Sequence, residues 1–260
     1  MERIQNLITV MAPNSHVTKA SMVLGAIKFQ ESIFALPFAY TGMVLAVGGF
    51  PTWQQFMWIT VAMVSARTFG MCANRIIDRK IDAINPRTAG RHIPSGRLKV
   101  RDMVALTLVS LSILLLAAVQ LNTLALVLVP VACAYLVVYP YTKRFTWTSN
   151  LLLGWALGIA PTAAWIGVTG SLPWEAVLLS TGVAVWAGSF DILYHIQDVE
   201  FYKKTGLHSI AQRFGVPIAF HSAKLLDVMS LGCLLVLGIW MDLNWPYYLG
   251  WLVASALLIY

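Results

Sequence analysis

The chain has 260 residues, of which 58% are hydrophobic and only 11% are charged. Soluble globular domains carry about 25% charged residues, so this composition excludes that class; apolar runs of roughly 20 residues instead indicate a polytopic helical membrane protein. The net charge of +7 does not indicate a nucleic-acid partner, because the basic residues gather on one inferred side of the lipid bilayer, as the positive-inside rule describes.

The predicted membrane spans alternate with short turns on one side and basic loops on the other. The first span, 21–50, contains Pro37, which we expect to kink it. The second span, 52–75, leads into a long basic loop, 76–101, which is therefore expected in the cytoplasm. Further spans are predicted at 102–119, 123–139, 151–168, 176–194, 216–240 and 249–260.

The last of these eight predicted spans is too short to cross a bilayer. We therefore expect one membrane-embedded domain over residues 1–260, truncated at its C-terminus. The charge asymmetry predicts a multi-pass protein of the cell inner (plasma) membrane whose basic loops, and the site that they form, face the cytoplasm.

A polar segment directly follows the second predicted span. If this segment is helical, Asn74, Asp78 and Asp82 are spaced at i, i+4 and i+8 and lie on one face. Two carboxylates and an amide oxygen are hard donors that suit Mg²⁺, which commonly takes one or two carboxylates and leaves other positions to substrate phosphates. The segment therefore predicts a metal–diphosphate site at a membrane face.

Basic residues close to this segment suit the phosphates themselves. Arg87 and Arg91 follow the carboxylates, and Lys143 and Arg144 lie in the loop after the fourth predicted span. Arginine binds phosphate through a planar fork and lysine through a point charge. Arg67 lies inside a span, where an unpaired charge costs at least about 2–3 kcal/mol, so we expect its partners within the bundle.

A second charged segment follows the sixth predicted span. Asp191 and Asp198 are seven residues apart and share a helical face, with Tyr194 close to it and Glu200 and Lys204 further on. An acid near the end of an apolar span is costly without a function. Two acidic clusters would hold two Mg²⁺ ions that bridge one diphosphate.

This combination fits the ionisation of an allylic diphosphate. Metal ions and cations neutralise the departing diphosphate. The carbocation left behind needs an electron-rich acceptor and a dry pocket, where some of the ten Trp, nine Tyr and eleven Phe would provide cation–π contacts.

Three segments resemble a known family. The pattern N-x₃-D-x₃-D followed by PRTAGRHIPSG resembles the first aspartate-rich motif of the UbiA superfamily of intramembrane aromatic prenyltransferases; YPYTKR resembles its basic loop after the fourth helix, and DILYHIQDVEFYKKTGLHSIAQRFG its second motif. The resemblance implies an all-α transmembrane bundle of nine helices, about eight of them present here, around a central cavity in which Mg²⁺ holds polyprenyl diphosphate.

The roles expected from the residues and the resemblance fall into three groups. The expected metal ligands are Asn74, Asp78, Asp82, Asp191, Asp198 and Glu200. The expected substrate-binding residues are Asn74, Arg87, Arg91, Lys143, Arg144, Tyr194 and Lys204. The expected catalytic residues are Asp78, Asp191 and Arg67.

The chain departs from the second motif at one position. Members of the superfamily usually carry a further aspartate four residues after Asp198, where this chain has Tyr202. A phenol is a poor Mg²⁺ ligand, so a second metal ion would have to rely on Asp198, Asp191 or Glu200.

The resemblance implies transfer of a polyprenyl chain to an aromatic carboxylic acid in ubiquinone or menaquinone biosynthesis, with 4-hydroxybenzoate as the first expectation. The segments QDVEF and ALPFAY also resemble enzymes thought to prenylate a dihydroxynaphthoate, so 1,4-dihydroxy-6-naphthoate in the futalosine route stays open. Arg67 or a first-loop arginine could hold the carboxylate of either acceptor.

Two other classes predict different patterns. A transporter would distribute charges through its spans, whereas here they lie at the ends of two spans. A CDP-alcohol phosphotransferase would carry D-x₂-D-G-x₂-A-R, which is absent from the sequence.

Overall fold

The computed structural model of the protein describes residues 19–259, and this part of the chain folds into helices without a strand. The α-helices are, in order, α1 (Lys19–Ala26), α2 (Phe29–Val47), α3 (Trp53–Ile84), α4 (Val100–Leu121), α5 (Thr123–Val138), α6 (Ser149–Thr169), α7 (Trp174–His195), α8 (Val199–Thr205), α9 (Ile210–Phe214), α10 (Val216–Trp240) and α11 (Trp245–Ile259). Two 3₁₀ helices, Tyr139–Arg144 and Ile196–Asp198, follow α5 and α7. The predicted all-α class is confirmed.

The helices form a multi-pass membrane bundle. Within the described residues, six helical stretches are long and apolar enough to cross a membrane, and two shorter apolar helices, Ile33–Val47 and α11, accompany them. This agrees with about eight predicted spans. Helices α4, α5 and α10 keep many Leu and Val side chains exposed on their outer faces, as expected for surfaces that contact lipid.

Short connections place the loops at two ends of the bundle. One end, here called the polar end, carries the 85–99 loop, both 3₁₀ helices, α8 and α9. The other end has only brief turns between long helices, such as Asn122 between α4 and α5. The residues of both predicted motifs therefore meet at the polar end.

Two predicted boundaries are corrected. The first span is not one helix kinked at Pro37: the chain breaks at Lys28, which adopts a left-handed conformation with φ 52°, and Pro37 lies inside α2. Arg75 stabilises this break, because its Nε donates to the Ala26 carbonyl at 3.0 Å and so satisfies one of the free carbonyls at the end of α1.

The second correction concerns the first basic loop. Helix α3 continues to Ile84, so the loop covers 85–99 rather than 76–101. The motif carboxylates therefore lie on a rigid helix, and the 32-residue length of α3 carries them from the membrane to the polar end.

Helix α6 lies at the centre of the closest helix packing. A Cβ added at Gly154 would lie 2.1 Å from the Ala184 carbonyl oxygen on α7, and one at Gly42 of α2 would lie 2.3 Å from the Pro161 carbonyl oxygen on α6. Small residues allow such backbone contact between membrane helices, where packing rather than the hydrophobic effect drives association. Helices α2, α6 and α7 thus form a tight unit that supports the polar end.

We predict that Gly154→Ala lowers stability, because its methyl group forces the α6 and α7 backbones apart, at a cost of about 1–3 kcal/mol for overpacking. The measurement is the apparent melting temperature in detergent, followed by a thiol-reactive dye that reports exposure of the buried Cys72 and Cys133. Gly49→Ala is the control, since nothing lies within 4 Å of its added Cβ. Equal melting temperatures for both variants would contradict the prediction.

Candidate active site

Helix α3 presents the first motif along one face. Asp78 is only 2% exposed, and Asn74, one turn earlier, donates from Nδ2 to Asp78 Oδ2 at 3.2 Å. Asp82 is also buried, one turn later. The predicted i, i+4, i+8 arrangement is therefore present, with three oxygen-bearing side chains in line.

Two cations from a distant segment cover Asp78. Lys143 Nζ lies 2.5 Å from Asp78 Oδ2, and Arg144 Nη2 lies 3.3 Å from Oδ1. Both come from the 3₁₀ helix that follows α5, and Arg144 also donates to the Ile77 carbonyl at 3.1 Å. The basic loop predicted from the sequence is thus joined to the first motif.

Asp82 is paired with the loop that follows α3. Arg91 Nη1 lies 2.7 Å and 2.8 Å from the two carboxylate oxygens of Asp82. The loop turns back because the Thr88 hydroxyl donates to the Asp82 carbonyl at 3.1 Å. A single nitrogen of Arg91 therefore serves both oxygens, which leaves each of them further acceptor capacity.

Asp198 joins the second motif to the first loop. Arg87 donates to it through Nε, at 2.9 Å from Oδ1, and through Nη2 to Oδ2, and Asn85 Nδ2 donates to Oδ1 at 3.2 Å. Arg87 Nη1 also donates to the Tyr194 hydroxyl at 2.8 Å, with its guanidinium 4.9 Å from the centre of that ring. The bond to Asp198 raises the pKa of Arg87 above its ordinary value.

Asp191 has partners of a different kind. Asn150 of α6, which is 1% exposed, donates from Nδ2 to Asp191 Oδ2 at 2.8 Å, and His195 Nδ1 lies 3.2 Å from the same oxygen. The Oδ1 of Asn150 accepts the Ile210 backbone N–H at 3.2 Å, which ties the start of α9 to the same point. Asp191 is thus bound by an amide and an imidazole rather than by lysine or arginine.

Tyr202 lies among the motif carboxylates. Its side chain is buried, its ring centre lies 5.6 Å from that of His195, and the charges of Asp191, Asp198 and Asp78 all act on its hydroxyl group. The residue that replaces the usual aspartate therefore occupies the interior of the site.

Other predicted residues lie further out. Glu200 is not brought to the carboxylate cluster, because its side chain is 77% exposed and pairs with Lys203 at 3.0 Å. Lys204 is likewise exposed on α8. Arg67 is half-buried in α3, deeper in the membrane than Asn74. Its charge acts on the Tyr139 hydroxyl, as do the charges of Asp78 and Asp191.

The polar end therefore holds four buried carboxylates and the groups that neutralise them. Burying an unpaired carboxylate costs several kcal/mol, so each depends on its partner. No group of three His, Cys, Asp or Glu side chains within residues 19–259 is arranged around one point.

The sequence profile of the UbiA prenyltransferase family matches residues 35–260, which include every residue of both motifs. The chain belongs to the UbiA prenyltransferase family. It is therefore a membrane-embedded prenyltransferase, and the transporter and phosphotransferase hypotheses are set aside.

Curated relatives align with most of the chain. A 4-hydroxybenzoate octaprenyltransferase of Pseudomonas entomophila is 35% identical over 218 residues, which cover 82% of this chain and 71% of that protein. One of Francisella tularensis subsp. novicida is 30% identical over 215 residues, covering 83% and 75%.

Solved structures of UbiA homologues share the fold. The apo structure of a homologue from Aeropyrum pernix K1 superposes with a TM-score of 0.83 at 29% identity and covers 89% of this chain and 86% of that one. A homologue from Archaeoglobus fulgidus, solved bound to DMAPP and Mg²⁺, superposes with a TM-score of 0.73 at 19% identity, covering 92% and 85%.

Sequence reasoning missed two asparagines in this UbiA-family site. Asn150 and Asn85 are not among the residues expected from the sequence, yet both bind motif carboxylates across more than 40 residues of chain. The available signal was weak: each is a single amide next to a helix end, where asparagine commonly serves as a cap.

We predict that Asn150→Leu lowers both stability and prenyl transfer. The change leaves the Ile210 N–H without its acceptor and removes the amide that binds Asp191, and an unsatisfied buried group costs about 1–3 kcal/mol. Melting temperature and product formation are measured together. The neighbouring Ser149→Ala, which loses only a bond to the His208 carbonyl, is the control and should change both less.

Proposed function

We propose that this UbiA-family enzyme transfers a polyprenyl chain from a polyprenyl diphosphate to an aromatic carboxylic acid, with 4-hydroxybenzoate as acceptor, in a Mg²⁺-dependent reaction. The observation that carries the proposal is the convergence at one membrane face of buried carboxylates with Lys143, Arg144, Arg87 and Arg91. The curated relatives, named 4-hydroxybenzoate octaprenyltransferases, support the acceptor and the chain type.

The first motif fits a magnesium ion. Asn74 uses its amide nitrogen on Asp78, so its carbonyl oxygen remains available, and Asp78 and Asp82 add carboxylates one turn apart. Mg²⁺ is typically held by one or two carboxylates together with waters and substrate phosphates. When bound, the ion would bring positive charge to the diphosphate as it departs. The Archaeoglobus fulgidus homologue solved with DMAPP and Mg²⁺ supports this assignment.

The basic residues would bind the diphosphate. In the free enzyme, Lys143 and Arg144 cover Asp78 and Arg91 covers Asp82. Asp78 and Asp82 would hold the cation, and Lys143, Arg144 and Arg91 would then be able to bind the phosphate oxygens through charge-assisted hydrogen bonds. The ion pairs of the free enzyme are thus a resting arrangement of the groups that bind substrate. Tyr194 supports Arg87 in the same task, and the exposed Lys204 adds positive charge at the entrance.

The reaction itself needs one further group. The C–O bond of the allylic diphosphate breaks with its electron pair on the departing oxygen, a ring carbon of the acceptor attacks the allylic carbon, and that ring carbon then loses its proton. Asp191 is the best candidate to accept the proton, because its partners are Asn150 and His195 rather than lysine or arginine.

The acceptor carboxylate would be held by Arg67. This arginine lies on the same face of α3 as Asn74 and deeper in the membrane. An acceptor bound at this depth would bring its ring close to the allylic carbon. A guanidinium binds a carboxylate through two parallel hydrogen bonds. The same contact would serve 1,4-dihydroxy-6-naphthoate, which remains the alternative acceptor.

The protein would act in the cell inner membrane with its polar end toward the cytoplasm. The loop 85–99 and the Lys143–Arg144 pair lie at that end, whereas the charged residues nearest the opposite end are Glu175 and Asp242. This distribution follows the positive-inside rule.

We predict that membranes containing the protein prenylate 4-hydroxybenzoate when supplied with polyprenyl diphosphate and Mg²⁺. Both 4-hydroxybenzoate and 1,4-dihydroxy-6-naphthoate are offered together, and the product is identified by mass. Chelation with EDTA should stop product formation and added Mg²⁺ should restore it. If only the naphthoate is prenylated, 1,4-dihydroxy-6-naphthoate is the acceptor instead of 4-hydroxybenzoate. Turnover that persists in EDTA would contradict the metal dependence.

We also predict that Asp78→Ala and Asp198→Ala each lower turnover by at least about 100-fold, the scale seen when electrostatic groups are removed from active sites. Asp242→Asn is the matched control, because this exposed acid lies in the turn before α11 at the opposite end and its positive φ of 50° suits asparagine. Wild-type turnover in either aspartate variant would contradict the mechanism.

A further inference from the structure

We propose that this enzyme holds its substrate diphosphate with one divalent cation, bound in the first motif by Asp78 together with Asn74, and that the second motif contributes a fixed guanidinium, Arg87, where a second ion would otherwise be bound. This inference rests on the proposed function and concerns how the second half of the same site works. It assigns Asp198 as a positioning residue for Arg87 rather than a metal ligand.

The first observation is the way Arg87 is held. Two of its nitrogens bond the two oxygens of Asp198, its third bonds the Tyr194 hydroxyl, and its guanidinium carbon lies 4.9 Å from the centre of the Tyr194 ring. A metal ion at Asp198 would have to share these oxygens with both charge-assisted bonds and lie beside the positive charge of Arg87. Asn85 occupies a further acceptor position on Asp198 Oδ1.

The second observation is the absence of a second carboxylate beside Asp198 among the described residues of α8. Tyr202 stands one turn after Asp198, buried at 4% exposure, and brings a phenol in place of a carboxylate. Glu200, the remaining acid of this segment, is 77% exposed and pairs with Lys203. Mg²⁺ prefers carboxylate, carbonyl and water oxygens. The buried carboxylates of the second motif are Asp198, which Arg87 binds twice, and Asp191, which Asn150 and His195 bind.

The first motif differs from the second in how its carboxylate is bound and in which oxygens lie beside that carboxylate. Asp78 is also covered by cations, but Lys143 binds it through one ammonium group on a flexible stem, and the Arg144 contact is 3.3 Å long. Oxygens of Asn74 and Asp82 lie one turn to either side. The carbonyl oxygen of Asn74 and a carboxylate oxygen of Asp78, which are one helical turn apart and already in contact, can therefore bind one ion without breaking a bidentate pair.

The charges agree with a single ion. Around the first motif, Lys143, Arg144 and Arg91 exceed the carboxylates Asp78 and Asp82 by one positive charge. One Mg²⁺ raises this excess to three, which matches a prenyl diphosphate with about three negative charges at neutral pH. The Arg87–Asp198 pair is neutral as a unit and contributes directed hydrogen bonds.

The test counts bound ions rather than turnover. Purified protein in detergent is saturated with farnesyl thiolodiphosphate, an analogue that ionises slowly, and titrated with Mn²⁺ as a paramagnetic substitute for Mg²⁺. Electron paramagnetic resonance of free Mn²⁺ then gives the number of ions bound per chain. We expect one for the wild type, one for Tyr202→Phe and two for Tyr202→Asp, which restores the carboxylate.

Asp198→Asn separates positioning from ligation. We expect it to keep one bound Mn²⁺ while the dissociation constant of the analogue rises about tenfold, the effect of losing roughly 1.4 kcal/mol of oriented hydrogen bonding. Two ions in the wild type, with one lost in Asp198→Asn, would overturn this proposal and leave the proposed function intact. No analogue-dependent Mn²⁺ in the wild type would instead contradict the metal-dependent function itself.

Discussion

The pairing of buried carboxylates with cations from distant segments is the interaction on which the polar end depends. Asp78 binds Lys143 across 65 residues and Asp198 binds Arg87 across 111. Because an unpaired buried charge destabilises a protein by several kcal/mol, these pairs specify how α3, the 3₁₀ helix after α5 and α7 meet. The same pairs hold in place the side chains that we propose bind the diphosphate, so under that proposal folding and substrate binding use one set of charges.

The membrane part of the fold makes this arrangement possible. Helix α3 is long enough to carry Asp78 and Asp82 beyond the span that began at Trp53, and Thr52 starts it with a capping box that uses Gln55. The close contact of α6 with α7 at Gly154 brings Asn150 within hydrogen-bond distance of Asp191. Backbone contact between small residues thus sets the distance between the Asn150 and Asp191 side chains. Helix packing inside the membrane therefore helps to position the second motif.

Much of this was predictable from the sequence, for definite physical reasons. Hydropathy locates the spans because a bilayer demands about 20 apolar residues, and 216–240 was predicted with the bounds that α10 has. Helical periodicity placed Asp78 and Asp82 on one face. Pairing was not predictable, because Lys143, Arg144 and Arg87 are equivalent as charges, and only the packing of several helices decides which acid each one reaches. Glu200 shows a different limit. It belongs to the second motif in the sequence, but in the structure its side chain faces outward and pairs with Lys203.

Tyr202 departs from the second motif, and the consequence of this departure can be judged only from the structure. In the sequence it is a lost ligand, and the simplest expectation is a weakened copy of a two-metal site. In the structure its side chain is buried beside the His195 ring, while Asp198 binds Arg87 with both oxygens. An aspartate at this position would add a negative charge to an already acidic interior, which would have to be balanced by a bound cation. The phenol adds no charge, so under our proposal the Arg87–Asp198 pair remains in place without a second metal ion.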